Sequence, residues 1–345
     1  QKTAYEISTR DWSSDVCSSD LAIVISDSLQ WIEPEIHLVS KSNLRDSSRQ
    51  ADVLLISHPA FLNASNRLAQ HRRKQGFTVE VISSEDIYKE FGHGSKDAHA
   101  IKDFIRHTHR SWKFPIPSYA IFMGDASWDP LKLTFKSTQE DFIPSFGFPV
   151  SDVWFTTPSN DSIDPELILG RLSVSSSDQA EKVVDKLIQY DSLQAAPWMK
   201  QFLFLSGGDA DDPFFHNQFD GVAPFVLDPP ISADTTRIRR INKVGGVDES
   251  IATKIRSAVN DGALWVTFAG HGSPEYFELD GWRAQDLNNQ KKYFMLTTFS
   301  CNSGAFAEPT TVCRNESYVL EAGKGAIASV GNTYTGITNP DYYNF

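Results

Sequence analysis

From residue 51 onward, short apolar runs alternate with segments in which apolar residues recur every three or four positions. No other feature constrains the fold as tightly. The runs are ADVLLIS (51–57), FTVEVIS (77–83), SYAIFMGD (118–125), LILGRLS (167–173), QFLFLSG (201–207), ALWVTFAG (263–270), YFMLTTFS (293–300) and GAIASVG (325–331). Most are apolar on consecutive residues, as expected of strands buried on both faces. Helices are predicted between them over 62–75, 97–112, 177–190, 248–260 and 315–322. Gly76 and Gly262 fall where helix ends need them. Ser176 and Gln179 have capping-box spacing before Ala180, Val183, Val184, Leu187 and Ile188, which share one helical face. Strands alternating with helices predict an α/β fold with mainly parallel sheets flanked by helices. The stretch 126–166 has no long period, and a loop of that length in a compact domain is usually functional or poorly ordered. A proline and a composition shift at 191–198 predict two α/β subdomains, 51–190 and 199–345, after a linker-like segment 1–50.

Composition narrows the function classes. The 345 residues suggest about two domains at ~150 residues each. A net charge of −12 argues against a nucleic-acid backbone binder, which needs a basic face. It suits cationic substrates or Ca²⁺. Three cysteines are too few for a disulfide scaffold or a multi-cysteine zinc framework. No apolar run approaches the ~18 residues of a membrane helix. No signal peptide is visible at Gln1. The run YEISTRDWSSDVCSSDL (5–21) is similar to a translated sequencing adapter, and Cys17 is then set aside, leaving Cys301 and Cys313. The ending NPDYYNF follows closely on a strand-like run, so a truncated C-terminus is expected.

Two strand ends carry chemistry. The run 263–269 leads into Gly270-His271-Gly272-Ser273, and 293–299 leads into Ser300-Cys301-Asn302-Ser303-Gly304. In open α/β sheets, ligands bind beyond the carboxyl ends of the strands. The spacing of 30 residues between His271 and Cys301 leaves room for one crossover, so the two strands are expected to be neighbours. A thiolate is a nucleophile, and a nearby imidazole can activate it and protonate a leaving amine. The N–H groups of Gly272 and Cys301 are candidate oxyanion donors. Taken singly, such a cysteine is usually a small buried hydrophobe, and such a histidine more often a turn residue. Asp209, Asp211 and Asp212 follow the strand 201–207 without EF-hand spacing. His93, His99, His107 and His109 lack a zinc pattern. Ser206-Gly207-Gly208 is too short for a phosphate loop, and Cys313 is expected to pack near the helix 315–322.

At VTFAGHGS and MLTTFSCNSGAF the sequence resembles the gingipain-type cysteine peptidases, family C25 of the caspase-like clan CD. The resemblance extends through ADVLLISHPAFLNASNRLAQHRRKQGFTVEVISSEDIY, SYAIFMGDASWDP and SDVWFTTPSNDSIDPELILGRLSVSSSDQAEKVVDKLIQYD, and covers about 51–338. Cys-Asn-Ser-Gly is also similar to a metacaspase motif, but the upstream segments fit C25 better.

The resemblance implies a caspase/gingipain-like fold of two adjacent subdomains and peptide-bond hydrolysis by a Cys/His dyad. Cys301 would be the nucleophile, His271 the general acid/base, and Gly272 part of the oxyanion hole. Asp152 falls where the family places an acidic residue for a basic (Arg/Lys) P1 side chain; its local alternative is a turn or cap aspartate. Trp282 is expected to wall the substrate pocket, or else to be core. Ser300, where the family more often has Ala, is expected beside the substrate. Asp141 or Glu140 stands as the third acidic residue. The family needs no cofactor for chemistry and binds structural Ca²⁺, for which Asp209, Asp211 and Asp212 are the candidates. It also implies protein or peptide substrates, a propeptide or secretion machinery as partners, and an extracellular or cell-surface location. Two alternatives stay open: a sortase-like transpeptidase of the same family, and a degenerate surface-binding or scaffold module.

Overall fold

The first half of the chain builds a four-stranded sheet. Its elements are β1 (Val53–Ser57), α1 (Leu62–Lys74), β2 (Val79–Ser83), α2 (Ser84–Phe91), α3 (Ala98–Ser111), β3 (Tyr119–Met123), β4 (Ile168–Leu172) and α4 (Ser177–Asp191). The strands run parallel in the order β2-β1-β3-β4. Side chains alternate across a strand, and β1 uses both faces. Val53 and Leu55 pack with Leu68 of α1 and Val183 of α4. Leu54 and Ile56 pack with Ile87 of α2 and Phe104 of α3 on the other side. The computed structural model describes residues 42–157, 164–208, 214–240 and 247–336.

The second half repeats the plan. It comprises β5 (Gln201–Ser206), α5 (Phe214–Leu227), β6 (Asp234–Arg239), α6 (Glu249–Asp261), β7 (Trp265–Ala269), the short β8 (Gly272–Ser273) and β9 (Tyr276–Phe277), β10 (Phe294–Phe299), α7 (Arg314–Leu320) and β11 (Ala326–Gly331). Five strands are parallel in the order β11-β10-β7-β5-β6, while β8 and β9 form a separate antiparallel hairpin. Leu203, Val266 and Leu296 meet Ile255 of α6 and Tyr318 of α7 on one face. Phe202 and Phe204 meet Phe215 and Phe219 of α5 on the other.

Local chemistry sets the helix ends. The Asp97 carboxylate accepts from His99 N at 2.9 Å, and that of Asp248 accepts from Ser250 N at 3.0 Å. Ser176 Oγ accepts from Gln179 N at 3.2 Å, and Gln179 Oε1 reaches back to Ser175 N at 2.8 Å. This is a capping box displaced by one residue. Gly262, at φ +111°, ends α6 in a conformation that side chains rarely adopt.

The two halves are tied by polar contacts. Lys186 of α4 donates to the carbonyls of Tyr318 (3.4 Å), Glu321 (2.9 Å) and Lys324 (3.2 Å) and also to Val319, at the C-terminal end of α7. Trp128 N donates to Ala307 O, and Thr138 N and Gln139 N donate to Pro309 O, at 2.8–3.0 Å. The edge strands β4 and β11 line a cleft of about 870 Å³. Among the described residues no helix is long and apolar enough to cross a membrane.

Candidate active site

β7 and β10 are adjacent and parallel, and Ala269 is in register with Phe299. Gly270 N donates to Phe299 O at 3.2 Å, so the pairing persists to the strand ends. His271 and Cys301 each lie two residues past this matched pair. Neighbouring strands are about 4.8 Å apart. The two residues therefore leave the same edge of the sheet, side by side.

The Cys301 turn is anchored from within and from above. Below it, Ser303 Oγ and Thr298 Oγ1 are 2.7 Å apart, and Asn315 Nδ2 donates to Thr298 Oγ1 at 3.0 Å. Above it, Asn302 N donates to Tyr334 O at 3.0 Å and Gly304 N to Asn332 O at 2.9 Å. Asn302 takes a left-handed conformation, φ +53°, which asparagine tolerates. Cys301 is a free, half-buried thiol, with Sγ 3.9 Å from Gly336 O. Cys313 is also free, but it is fully buried at the start of α7, and burial raises its thiol pKa.

His271 is exposed, and its ring meets Phe215 edge-on at 5.2 Å. Its main chain is held by Glu278: His271 N donates to Glu278 Oε2 at 3.2 Å, and Glu278 N donates to His271 O at 2.9 Å. Gly272 follows because nothing larger fits. A Cβ there would lie 2.2 Å from Ser300 Oγ and 2.8 Å from Tyr276 O.

Several expected site residues serve other purposes. Asp152 is not a free carboxylate: Arg171 donates to it through Nε at 2.7 Å and Nη2 at 2.9 Å, and Ser145 Oγ adds a third bond at 3.0 Å. The side chains of Arg171 and Asp152 are only 5% and 16% exposed. Trp282 is fully buried, packed at a tilt against Phe277 and Tyr318 with its indole N–H on Leu279 O. It is core and walls no pocket. Ser300 is 4% exposed, and its hydroxyl faces Gly272. Asp141 pairs with Lys96 at 2.8 Å and accepts from Ser127 N, while the exposed Glu140 pairs with Lys132. Among the described residues neither carboxylate touches Cys301 or His271. Asp209, Asp211 and Asp212 lie outside the described residues.

Sequence reasoning passed over two charged centres beneath the site. One is Glu278, brought back to His271 by the β8–β9 hairpin; the turn residues Pro274 and Glu275 were its local signal. The other is the buried pair Asp125 and Glu316. Asp125 lies just past β3 and Glu316 in the first turn of α7. Burial pushes both carboxyl pKa values up, Glu316 raises that of Asp125 further, and Arg171 offsets this in part for both.

The sequence profile of Peptidase family C25 matches residues 46–344. Lys-gingipain and Lys-gingipain 381 of Porphyromonas gingivalis are each 22% identical over 208 residues, which is 56% of this chain. The chain spans 11% of the length of those relatives. The fold is similar to that in a complex of Porphyromonas gingivalis RgpB pro- and mature domains, with a TM-score of 0.66 and 17% identity over 82% of this chain and 64% of that one. It is equally similar to the Arg specific cysteine proteinase gingipain R, with a TM-score of 0.66 and 17% identity over 86% and 65% of the two chains. The likeness in fold covers more than four-fifths of this chain, and the profile match runs through both strand ends that carry His271 and Cys301. The chain belongs to peptidase family C25.

Proposed function

We propose that this chain carries the catalytic unit of a cysteine endopeptidase, with Cys301 as nucleophile and His271 as general acid/base. The observation that supports this most directly is the matched pair Ala269/Phe299, from which the two residues emerge on adjacent strands. In this reading the Cys301 thiolate attacks the scissile carbonyl carbon. The N–H groups of Gly272 and Cys301 donate to the resulting oxyanion. The C–N bond then breaks, His271 gives its proton to the leaving amine, and a thioester remains. Water, deprotonated by His271, attacks the thioester and releases the acid and the thiol.

A basic P1 side chain would need an available carboxylate; among the described residues that of Asp152, the candidate for this role, is committed to Arg171. The reading includes extracellular action and a pro-segment that covers the Cys301 turn before activation, in keeping with the pro-domain complex among the structural neighbours.

Cys301→Ala is expected to lower turnover of peptide amides by more than about a thousandfold. Iodoacetamide is expected to label Cys301 and leave the buried Cys313 untouched in folded protein. Undiminished turnover by the variant would falsify the mechanism. An unlabelled Cys301 would point instead to a binding module. Sequencing the products in the presence of an added amine separates hydrolysis from transpeptidation.

A further inference from the structure

The Glu278 carboxylate gathers the ends of three parallel strands. Oε2 accepts from Gly208 N, just past β5, at 2.8 Å and from His271 N, just past β7, at 3.2 Å. Oε1 is paired with Arg240, the residue after β6. The space is shaped for the carboxylate: a Cβ on Gly207 would lie 2.4 Å from Oε2. Gly207 and Gly270, just past the ends of β5 and β7, approach closely: the Cα of each lies 3.2 Å from where the other's Cβ would be.

Glu278 also donates its own N–H to His271 O at 2.9 Å. One residue, seven positions away, therefore holds both hydrogen-bonding groups of the His271 backbone. Its side chain is 10% exposed and that of Arg240 14%. Bonds from N–H to a shielded, ionised carboxylate are about twice as strong as neutral ones. The imidazole has no comparable anchor: among the described residues its ring meets the edge of Phe215. A catalytic base is ordinarily oriented by a third group on its ring. Here the constraint on the ring direction enters through the backbone.

We propose that Glu278 is the positioning residue for His271, with Arg240 as its counter-charge. The carboxylate fixes where the His271 main chain leaves β7, beside the end of β10 that carries Cys301, while Phe215 limits the ring on one side. This rests on the Cys301/His271 reading above. Displacements of about 1 Å in a catalytic group cost on the order of a hundredfold in rate.

The test uses the full chain with Glu278→Gln, Glu278→Ala, His271→Ala and Cys301→Ala, each checked for its unfolding midpoint. Glu278→Gln keeps the shape and one acceptor but loses the charge, so it is the variant expected to stay folded should the alanine variant fail to. Two readouts are taken: kcat and KM on a peptide amide, and the rate of Cys301 alkylation by iodoacetamide against pH. Glu278→Gln is expected to lower kcat about 10- to 100-fold with KM changed less than about threefold. Its alkylation profile is expected to shift toward that of His271→Ala. An unshifted profile with kcat within twofold of the parent, while Cys301→Ala abolishes turnover, removes the proposal and leaves the dyad standing. A kcat loss that only tracks the unfolding midpoint, with the profile unmoved, also overturns it. Turnover that survives Cys301→Ala overturns the dyad reading first. The alkylation profiles decide the matter even where turnover is too slow to measure.

Discussion

The residue that follows the histidine and the residue that precedes the cysteine face each other across the two strand ends. Ser300 Oγ is buried and, among the described residues, has no hydrogen-bond partner, and a Cβ at position 272 would lie 2.2 Å from it. An unpaired buried hydroxyl costs about 1–3 kcal/mol. Ser300→Ala is therefore expected to raise stability by about 1 kcal/mol, read as a higher urea midpoint at unchanged slope. A lower midpoint would show that the hydroxyl is satisfied after all. Gly272→Ala is expected to cost about 2 kcal/mol through overpacking, and Ser300→Ala in the same chain to recover about half of that. Full recovery is not expected, because Tyr276 O would still be 2.8 Å from the new methyl. Additive losses would separate the two sites. That His271 and Cys301 follow neighbouring parallel strands was legible in the sequence, because each comes just after an apolar run that marks its strand end. The environments of Asp152, Trp282 and Ser300 were not legible. Nothing local reveals that Arg171, nineteen residues beyond Asp152, turns back to take its carboxylate.

Elements with strong local signals stand where the sequence places them. The eight apolar runs each contain a strand, and the five predicted helices differ from those observed by no more than two residues at an end. Five elements escaped. β6 reads DTTRIR, an edge strand with most side chains exposed, so it lacks an apolar run. α5 contains Pro224 and Gly221, which weaken any helical reading, and it is held by Phe215 and Phe219 against the sheet. α2 follows β2 directly, with no loop to separate the two patterns. The β8–β9 hairpin has two residues per strand, too few for a period. Tertiary packing decides such elements. The same holds for the end of α7, whose carbonyls are received by an ammonium from α4. A helix's last carbonyls have no partners within the helix, and Lys186 supplies several at once. Lys186→Met keeps the aliphatic length and strands these acceptors. It is expected to cost about 2 kcal/mol, with hydrogen exchange accelerated in α7 more than in α6. Uniform acceleration would mean that α7 does not depend on this contact.

The two sheets meet over ionisable groups, and this gives the molecule a pH dependence of definite sign. Asp125 comes from the end of β3 and Glu316 from α7, so the pair spans the junction of the halves. Both are buried, Glu316 repels Asp125, and Arg171 compensates only in part. Their folded pKa values are raised above the ordinary 3.8 and 4.5. Between the ordinary and the raised values the folded state binds more protons than the unfolded chain. Stability therefore falls as pH rises through that window. The contribution is fully present below the ordinary values and is lost as the folded pair gives up its protons. This opposes the usual acid denaturation, in which paired carboxylates gain protons on unfolding. The unfolding midpoint is expected to decline from about pH 5 to about pH 8. Glu316→Gln removes one titrating group and lowers the pKa of the other, so its profile should be flatter over that range. It should also be at least as stable as the parent at the upper end, where the parent must hold or expel a buried proton. Cys313 N loses a charged acceptor in the variant, since Glu316 Oε2 receives that N–H at 2.9 Å, but the amide oxygen can take its place. A parent midpoint that rises with pH, or a variant with the same slope, would show that the pair is ionised in the folded protein. The halves would then be held together by Arg171 against two full negative charges.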